Sequence, residues 1–279
     1  MKTVLEVIQS TTAYFTKHGI ESPRLNIEHL LAHVLGKRRM DLYLEFDRPL
    51  SDKELEPLRD LVRRRAAREP LQHLLGTVEF MGRSFRSDKR ALIPRPETEQ
   101  LCEILLSRFP GEEKPAKIVD VGTGTGIIAL TLAAAWPQAT VTAVDLSSEA
   151  LALAGENAER FELKERVTFV QDDLLSTVDG PFDLLVANLP YISSGEIPAL
   201  AKEVQFDPTS ALVGGEIGTE IIFRLIEQAT GKLHGLLALE IGHDQSDAVC
   251  AELQRHKYQD ITPATDYQGR NRFVFAKYG

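Results

Sequence analysis

The chain has 279 residues, of which 43% are hydrophobic and 26% charged, enough to bury one large domain or two and ordinary for a soluble globular protein. A formal charge of −9 argues against a protein that coats nucleic acid through bulk charge, and points to a protein partner or a small ligand. The only two cysteines, Cys102 and Cys250, share no CxxC or Cys/His spacing, so neither a disulfide framework nor a metal site is expected, and a reducing cytoplasmic location fits.

The N-terminus, "MKTVLEVIQSTTAYF", mixes polar and apolar residues at helical spacing, and no later stretch approaches membrane-spanning length, so no signal peptide and no anchor are expected. Helical periodicity continues to about Leu75 through Val4, Ile8, Tyr14 and Phe15, then Leu25 to Leu35, then Leu55, Leu58, Leu61 and Val62. Ser22-Pro23 can start one helix, Gly36 can close it, and Ser51 to Glu54 resembles a capping box for the next. Residues 1–75 are therefore expected to form a small helical bundle. In residues 76–92, "GTVEFMGRSFRSD" alternates around Gly82 and reads as a hairpin linker. From there to residue 279 strands and helices alternate: "KIVDVG", "TVTAVD", "RVTFVQDD", "FDLLVAN" and "GLLALEIG" are strand candidates, and two more flank the turn residues Asp266 to Asn271. Such alternation predicts an α/β domain over residues 93–279, a parallel sheet covered on both faces by helices, with ligands at the carboxyl ends of the strands.

The chemistry-bearing residues fall at those strand ends. Gly122, Gly124 and Gly126 in "VDVGTGTG" lie between a strand and a helix, where the backbone can approach a ligand and a helix N-terminus offers free N–H groups. Gly124, Gly126 and Ala129 also satisfy the dinucleotide pattern G-x-G-x-x-G/A, so a nicotinamide or flavin oxidoreductase has to be weighed. Asp145 ends the next strand, where a carboxylate can accept both ribose hydroxyls; this too is common to both cofactor classes. Asp120, just before the glycines, would crowd a pyrophosphate but could bear on the ammonium of a methionine moiety, which favours S-adenosyl-L-methionine. The third strand ends on Asp172-Asp173-Leu174, a place for the adenine amino group and ring. The fourth ends on Asn188-Leu189-Pro190-Tyr191: two hydrogen-bond acceptors beside an aromatic wall, a pocket for a planar group carrying NH2.

The Asp-x-Gly-x-Gly-x-Gly strand end followed by Asn-x-Pro-Tyr resembles the class I methyltransferases that modify amide or exocyclic amino nitrogens. The blocks "EPLQHLLGTVEFMGRSF", "LIPRPETEQL", "EVQFDPTSALVGGEIGTE", "LEIGHDQ" and "DYQGRNR" are similar to those of the bacterial protein-(glutamine-N5) methyltransferases that act on peptide chain release factors, from about Glu69 to the end. That resemblance implies a Rossmann-like seven-stranded domain with an antiparallel final pair of strands, behind a helical domain that recognises the release factor. It further implies that Gly122, Thr123, Gly124, Thr125 and Gly126 hold the methionine end of the cofactor, Asp145 the ribose, and Asp173 with Leu174 the adenine. Asn188 and Pro190 would accept from the substrate NH2 while Tyr191 packs on the amide plane; Leu189, where the family usually has proline, would lie in the same substrate site, and Asn188 would also border the cofactor. The implied reaction is methylation of the glutamine in a Gly-Gly-Gln motif by a cytoplasmic monomer that holds no nucleic acid stably and no membrane. Asn-Leu-Pro-Tyr is also typical of ribosomal RNA adenine-N6 methyltransferases, which keeps an RNA substrate as the alternative.

Other features have plainer readings. "RRRAARE" is interleaved with acids and reads as a solvated helix face. "IPRPETEQ" reads as a proline-stiffened helix start, with Pro94 to Glu97 as a candidate lid on the cofactor. His73, in an apolar run, reads as a packed histidine.

Overall fold

Parity along the strands organises the fold. In the computed structural model, which describes residues 2–111 and 114–279, β3 (Lys117–Val121) is buried on both sides: Ile118 joins one core, and Val119 and Val121 the other. The same split recurs in β6 (Phe182–Asn188), where Leu184 and Val186 face one way and Leu185 and Ala187 the opposite way. Such two-sided burial is what a parallel sheet between two helical layers requires.

The chain divides into two compact units, Met1–Thr77 with Ala201–Phe206, and Val78–Leu200 with Asp207–Gly279. The first is helical: α1 (Val4–Lys17), α2 (Pro23–Leu35), α3 (Asp52–Ala66) and the short α4 (Leu71–Leu75) bury Phe15, Ile27, Leu30, Leu31 and Leu58 among one another. Pro23 is the first residue of α2 and Gly36 closes it at φ 62°. At the start of α3 the Glu54 carboxylate accepts the Ser51 N–H at 2.8 Å, a bond that, with the Arg48 guanidinium, lowers the Glu54 pKa to about 2. The solvated face expected over "RRRAARE" is only partly found. Arg64 pairs with Glu69, and Arg65 is 6% exposed, donating to Asn26 at 2.7 Å and reaching Glu203 at 3.4 Å. His73 lies on α4 in this unit.

From Val78 on, the second unit holds the hairpin of β1 (Thr77–Phe80) and β2 (Arg83–Arg86), whose turn residues Met81 and Gly82 both have positive φ. The hairpin, expected as a linker, is built into this unit: Phe80 and Phe85 are core residues, and Asn157 both donates to and accepts from the Arg86 backbone. Then follow α5 (Pro96–Arg108), β3, α6 (Ile127–Ala135), β4 (Thr140–Asp145), α7 (Ser148–Arg160), β5 (Val167–Gln171), β6, the two-residue β7 (Ile192–Ser193), β8 (Val213–Gly215), α8 (Glu220–Ala229), β9 (Leu233–Glu240), α9 (Ser246–Arg255), β10 (Gln259–Thr265) and β11 (Asn271–Tyr278). The seven-stranded sheet has the order β10-β11-β9-β6-β3-β4-β5, and β11 runs antiparallel to both neighbours. β3 lies between β4 and β6, so the chain leaves it to one side and later returns to the other, which opens a crevice at the carboxyl ends.

Candidate active site

A cavity of about 450 Å³ occupies that crevice. Its floor is the turn from β3 into α6, with Gly122, Thr123, Gly124 and Thr125 on the wall. Gly122 has φ 76°, and a Cβ there would lie 2.8 Å from Leu189 Cδ2, so the bare backbone is what lets the two strand ends close on each other. Asp145 stands beside it: its Oδ2 accepts from Gly124 N–H at 2.8 Å and its Oδ1 from Ser147 N–H at 2.9 Å. Burial raises the Asp145 pKa and the backbone N–H groups pull it back, leaving a carboxylate with spare lone pairs at the cavity edge.

Past β5, Asp172 and Asp173 differ sharply. Asp172 is consumed by its own turn, accepting from Thr177 N–H at 2.7 Å, Val178 N–H at 3.2 Å and Asp173 N–H at 2.9 Å. Asp173 is half exposed, lines the cavity and is steadied by Arg224 of α8 at 2.6 Å. Leu174, 7% exposed at φ 60°, presents an apolar wall next to it. Pro94 and Thr98 close the side near α5; of the candidate lid, Arg95, Pro96 and Glu97 are not on the wall.

Two expectations need correction on placement. Asp120 is fully buried and off the cavity wall. Strand parity puts it with Ile118 on the α5–α6 face, where its Oδ2 accepts from Thr123 Oγ1 at 2.6 Å and Ala129 N–H at 3.1 Å, while Oδ1 meets no partner among the described residues. Burial pushes its pKa up to about 7. It therefore braces the glycine turn from behind the cavity wall. Tyr191 likewise lies off the cavity wall; its ring lies 5.9 Å from the Arg272 guanidinium, and burial raises the phenol to about 12, so it is a neutral hydroxyl.

Asn188, Leu189 and Pro190 do line the cavity. Asn188 Nδ2 donates to Thr98 Oγ1 at 3.0 Å, and Thr98 Oγ1 donates to Glu240 Oε2 at 2.8 Å. The parallel register sets Asn188 opposite Glu240, at the ends of β6 and β9. Glu240 is 2% exposed; burial raises its pKa to about 7, against the pull of Thr98, Arg272 and the Asn188 amide. The backbone of the tetrapeptide is equally held: Gln245 Nε2 donates to the Tyr191 carbonyl at 2.8 Å, and a Cβ on Gly214 or Gly218 would lie 2.5 Å from Pro190 O or 2.4 Å from Tyr191 O. Sequence reasoning passed over Thr98, Glu240, Gln245, Gly214, Gly218 and Arg224. A signal existed for Glu240, an acid ending a strand as Asp145 does, and for the glycines of "GGEIG".

A seven-stranded sheet with this strand order, a glycine turn after β3, carboxylates ending β4 and β5 and an acceptor-bearing tetrapeptide ending β6 define a class I methyltransferase, and the residues present fit S-adenosyl-L-methionine as its cofactor. A family model described as "Methyltransferase small domain" matches residues 96–234, and one described as "PrmC N-terminal domain" matches residues 6–76. Among curated relatives, the release factor glutamine methyltransferase of Deinococcus radiodurans is 42% identical over 98% of this chain and 97% of its own, and that of Escherichia coli K12 is 37% identical over 92% and 93%. Among solved structures, the ribosomal protein L11 methylase of Lactobacillus delbrueckii subsp. bulgaricus aligns with a TM-score of 0.50 at 25% identity, covering 66% of this chain and 81% of that one. This chain belongs to the release factor glutamine methyltransferase family. No described helix is long and apolar enough to cross a membrane.

Proposed function

We propose that this chain methylates the side-chain amide nitrogen of the glutamine in the Gly-Gly-Gln motif of a peptide chain release factor. The observation that carries the chemistry is the tethering of Asn188 by Nδ2, which leaves its Oδ1 for the cavity. When bound, S-adenosyl-L-methionine supplies an electrophilic methyl on sulfonium. Gly122 to Gly126 would hold its methionine end, Asp145 the ribose, and Asp173 with Leu174 the adenine.

An amide nitrogen is a poor nucleophile because its lone pair is shared with the carbonyl. Two acceptors, Asn188 Oδ1 and the Pro190 carbonyl, would grip its two N–H groups, fix its plane and return density to nitrogen. Positive charge grows on nitrogen as the new bond forms, so fixed acceptors favour the transition state over the ground state. Tyr191 is a neutral phenol, not suited to removing a proton. We assign no general base: the methylated amide is strongly acidic and its proton can leave to water. The helical unit would recognise the release factor, the acidic chain would hold no RNA stably, and the enzyme would act as a cytoplasmic monomer.

The test is intact-mass analysis of a release factor incubated or co-expressed with this protein. The expected result is a gain of one methyl, mapped to the glutamine and absent when that residue is glutamate. With labelled cofactor, label entering ribosomal RNA and not protein overturns the proposal.

A further inference from the structure

Asn188 has a polar side chain with two chemically opposite ends, and the surroundings must decide which end meets the substrate. Resting on the amide-acceptor reading above, we propose that Glu240 is a positioning residue that sets this polarity through Thr98. An ionised carboxylate can only accept, so the Thr98 hydroxyl spends its single hydrogen on Glu240 Oε2 at 2.8 Å. The threonine oxygen then has only lone pairs left for its other neighbour. Asn188 must offer it the end that donates, and Nδ2 does so at 3.0 Å. The remaining end, Oδ1, is the acceptor left for a substrate NH2. Glu240, Thr98 and Asn188 come from β9, α5 and β6, so three elements have to be in place for the chain of bonds to exist.

Protonation reverses the chain. A neutral Glu240 carboxyl can donate to Thr98, whose hydroxyl can then donate onward. The partner that suits it is the asparagine oxygen, and a turned-over Asn188 presents its own NH2 to the substrate NH2, whose N–H groups then lose an acceptor. Catalysis on this geometry therefore requires the ionised form and fails on the acid side. The groups facing Glu240 are Arg272 from β11, which favours ionisation, Glu97 from α5, which opposes it, the Tyr191 phenol after β6 and the buried Cys102 thiol of α5, both of which stay neutral. Burial together with these neighbours brings the pKa of Glu240 to about 7, so the switch falls in the neutral range.

The experiment measures kcat and KM for the release factor, and the cofactor dissociation constant, for the full chain over roughly pH 5.5 to 9. For the wild type, kcat should rise with pH along an acid limb near neutrality. Glu240→Gln should lose roughly 10- to 100-fold in kcat, short of the loss from deleting an acceptor outright, and should lose the acid limb, with cofactor affinity within about twofold. Thr98→Val should fall comparably, and Thr98→Ser, which restores the hydroxyl, should recover to within about threefold. An acid limb that survives in Glu240→Gln overturns the inference whatever the rate, and so does wild-type kcat in Thr98→Val. Full activity in Asn188→Ala would instead remove the amide-acceptor reading beneath it. If Glu240→Gln does not fold, the Thr98 pair still decides.

Discussion

Asp120 shows how a single buried carboxyl can serve the site from behind the cavity wall. Its Oδ2 ties Thr123 and Ala129, the two sides of the glycine turn, yet no cation among the described residues offsets its burial, and its pKa stands at about 7 against an ordinary 3.8. A carboxyl whose pKa is raised on folding holds a proton that the unfolded chain releases, so its contribution to stability is full below about pH 4 and is lost as pH rises through about 7. The loss has a ceiling of about 4 kcal/mol, since every tenfold change in proton affinity between the folded and unfolded chain is worth about 1.4 kcal/mol. Asp120→Asn keeps an acceptor for both bonds and cannot ionise. The stability of the variant relative to the wild type should therefore increase from pH 4 to 8, reaching roughly 2 to 4 kcal/mol in urea titrations of the cofactor-free protein, and a difference independent of pH would refute this. Asn188 belongs to the same scale: replacing it with Ala removes an acceptor and should cost roughly 100- to 1,000-fold in kcat, while calorimetry shows cofactor binding unchanged.

The relevant unit at the next scale is a pair of strand ends, β3 and β6, pressed together through Gly122 and Leu189. Gly122→Ala carries two penalties, a left-handed backbone and a Cβ 2.8 Å from Leu189 Cδ2. Cofactor affinity should fall by at least about tenfold, since strain of about 1 to 2 kcal/mol at φ 76° comes on top of the clash. Leu189→Ala should bind cofactor nearly as the wild type does. Combined with Gly122→Ala it should restore part of the affinity, because only the clash is relieved, and strict additivity in the double-mutant cycle would show that the two do not meet. Much at this scale was legible in the sequence. Alternating strands and helices place five strand ends, and residues at four of them, Gly122 with Gly124, Asp145, Asp173 and Asn188, do come together around one cavity, while Gly126 lies off its wall. What sequence could not give was facing. Asp120 precedes the glycines by two residues, yet its even-numbered parity turns it under α6, and Tyr191 follows Pro190 directly but leaves the cavity wall. Glu240 was hidden because its partners, Asn188 and Thr98, lie 52 and 142 residues earlier in the chain, and only sheet register and the placement of α5 make them neighbours.

At the scale of the whole molecule, the helical unit is not one continuous piece of chain. Residues 1–75 were legible as a bundle from their periodicity, but Ala201–Phe206, which belongs to the same unit, carries no helical pattern and is recruited by charge. Glu203 on that segment meets Arg65 at 3.4 Å and Arg68 at 3.1 Å. Arg65 is nearly buried, and burial lowers its pKa, so its guanidinium depends on Glu203 and on the oxygens of Asn26 and Glu69 for its hydrogen bonds. Removing one partner of a buried pair leaves the other charge uncompensated. For a pair in which Glu203 remains 29% exposed, the cost should be discounted to about 1 to 2 kcal/mol. Glu203→Ala should destabilise the helical unit by that amount, and Glu203→Gln, which keeps an acceptor oxygen, by about half as much. Two probes separate the units. The chain's one tryptophan, Trp136, lies in the core of the second unit and reports on it by fluorescence, whereas far-ultraviolet circular dichroism sums the helices of both units, so a shift of its midpoint that fluorescence does not share belongs to the first. The urea midpoint from circular dichroism should fall in Glu203→Ala while the Trp136 midpoint stays put. An unmoved circular dichroism midpoint would mean that segment 201–206 contributes no stability to the bundle, and that the buried arginine is satisfied by Asn26 and Glu69 alone.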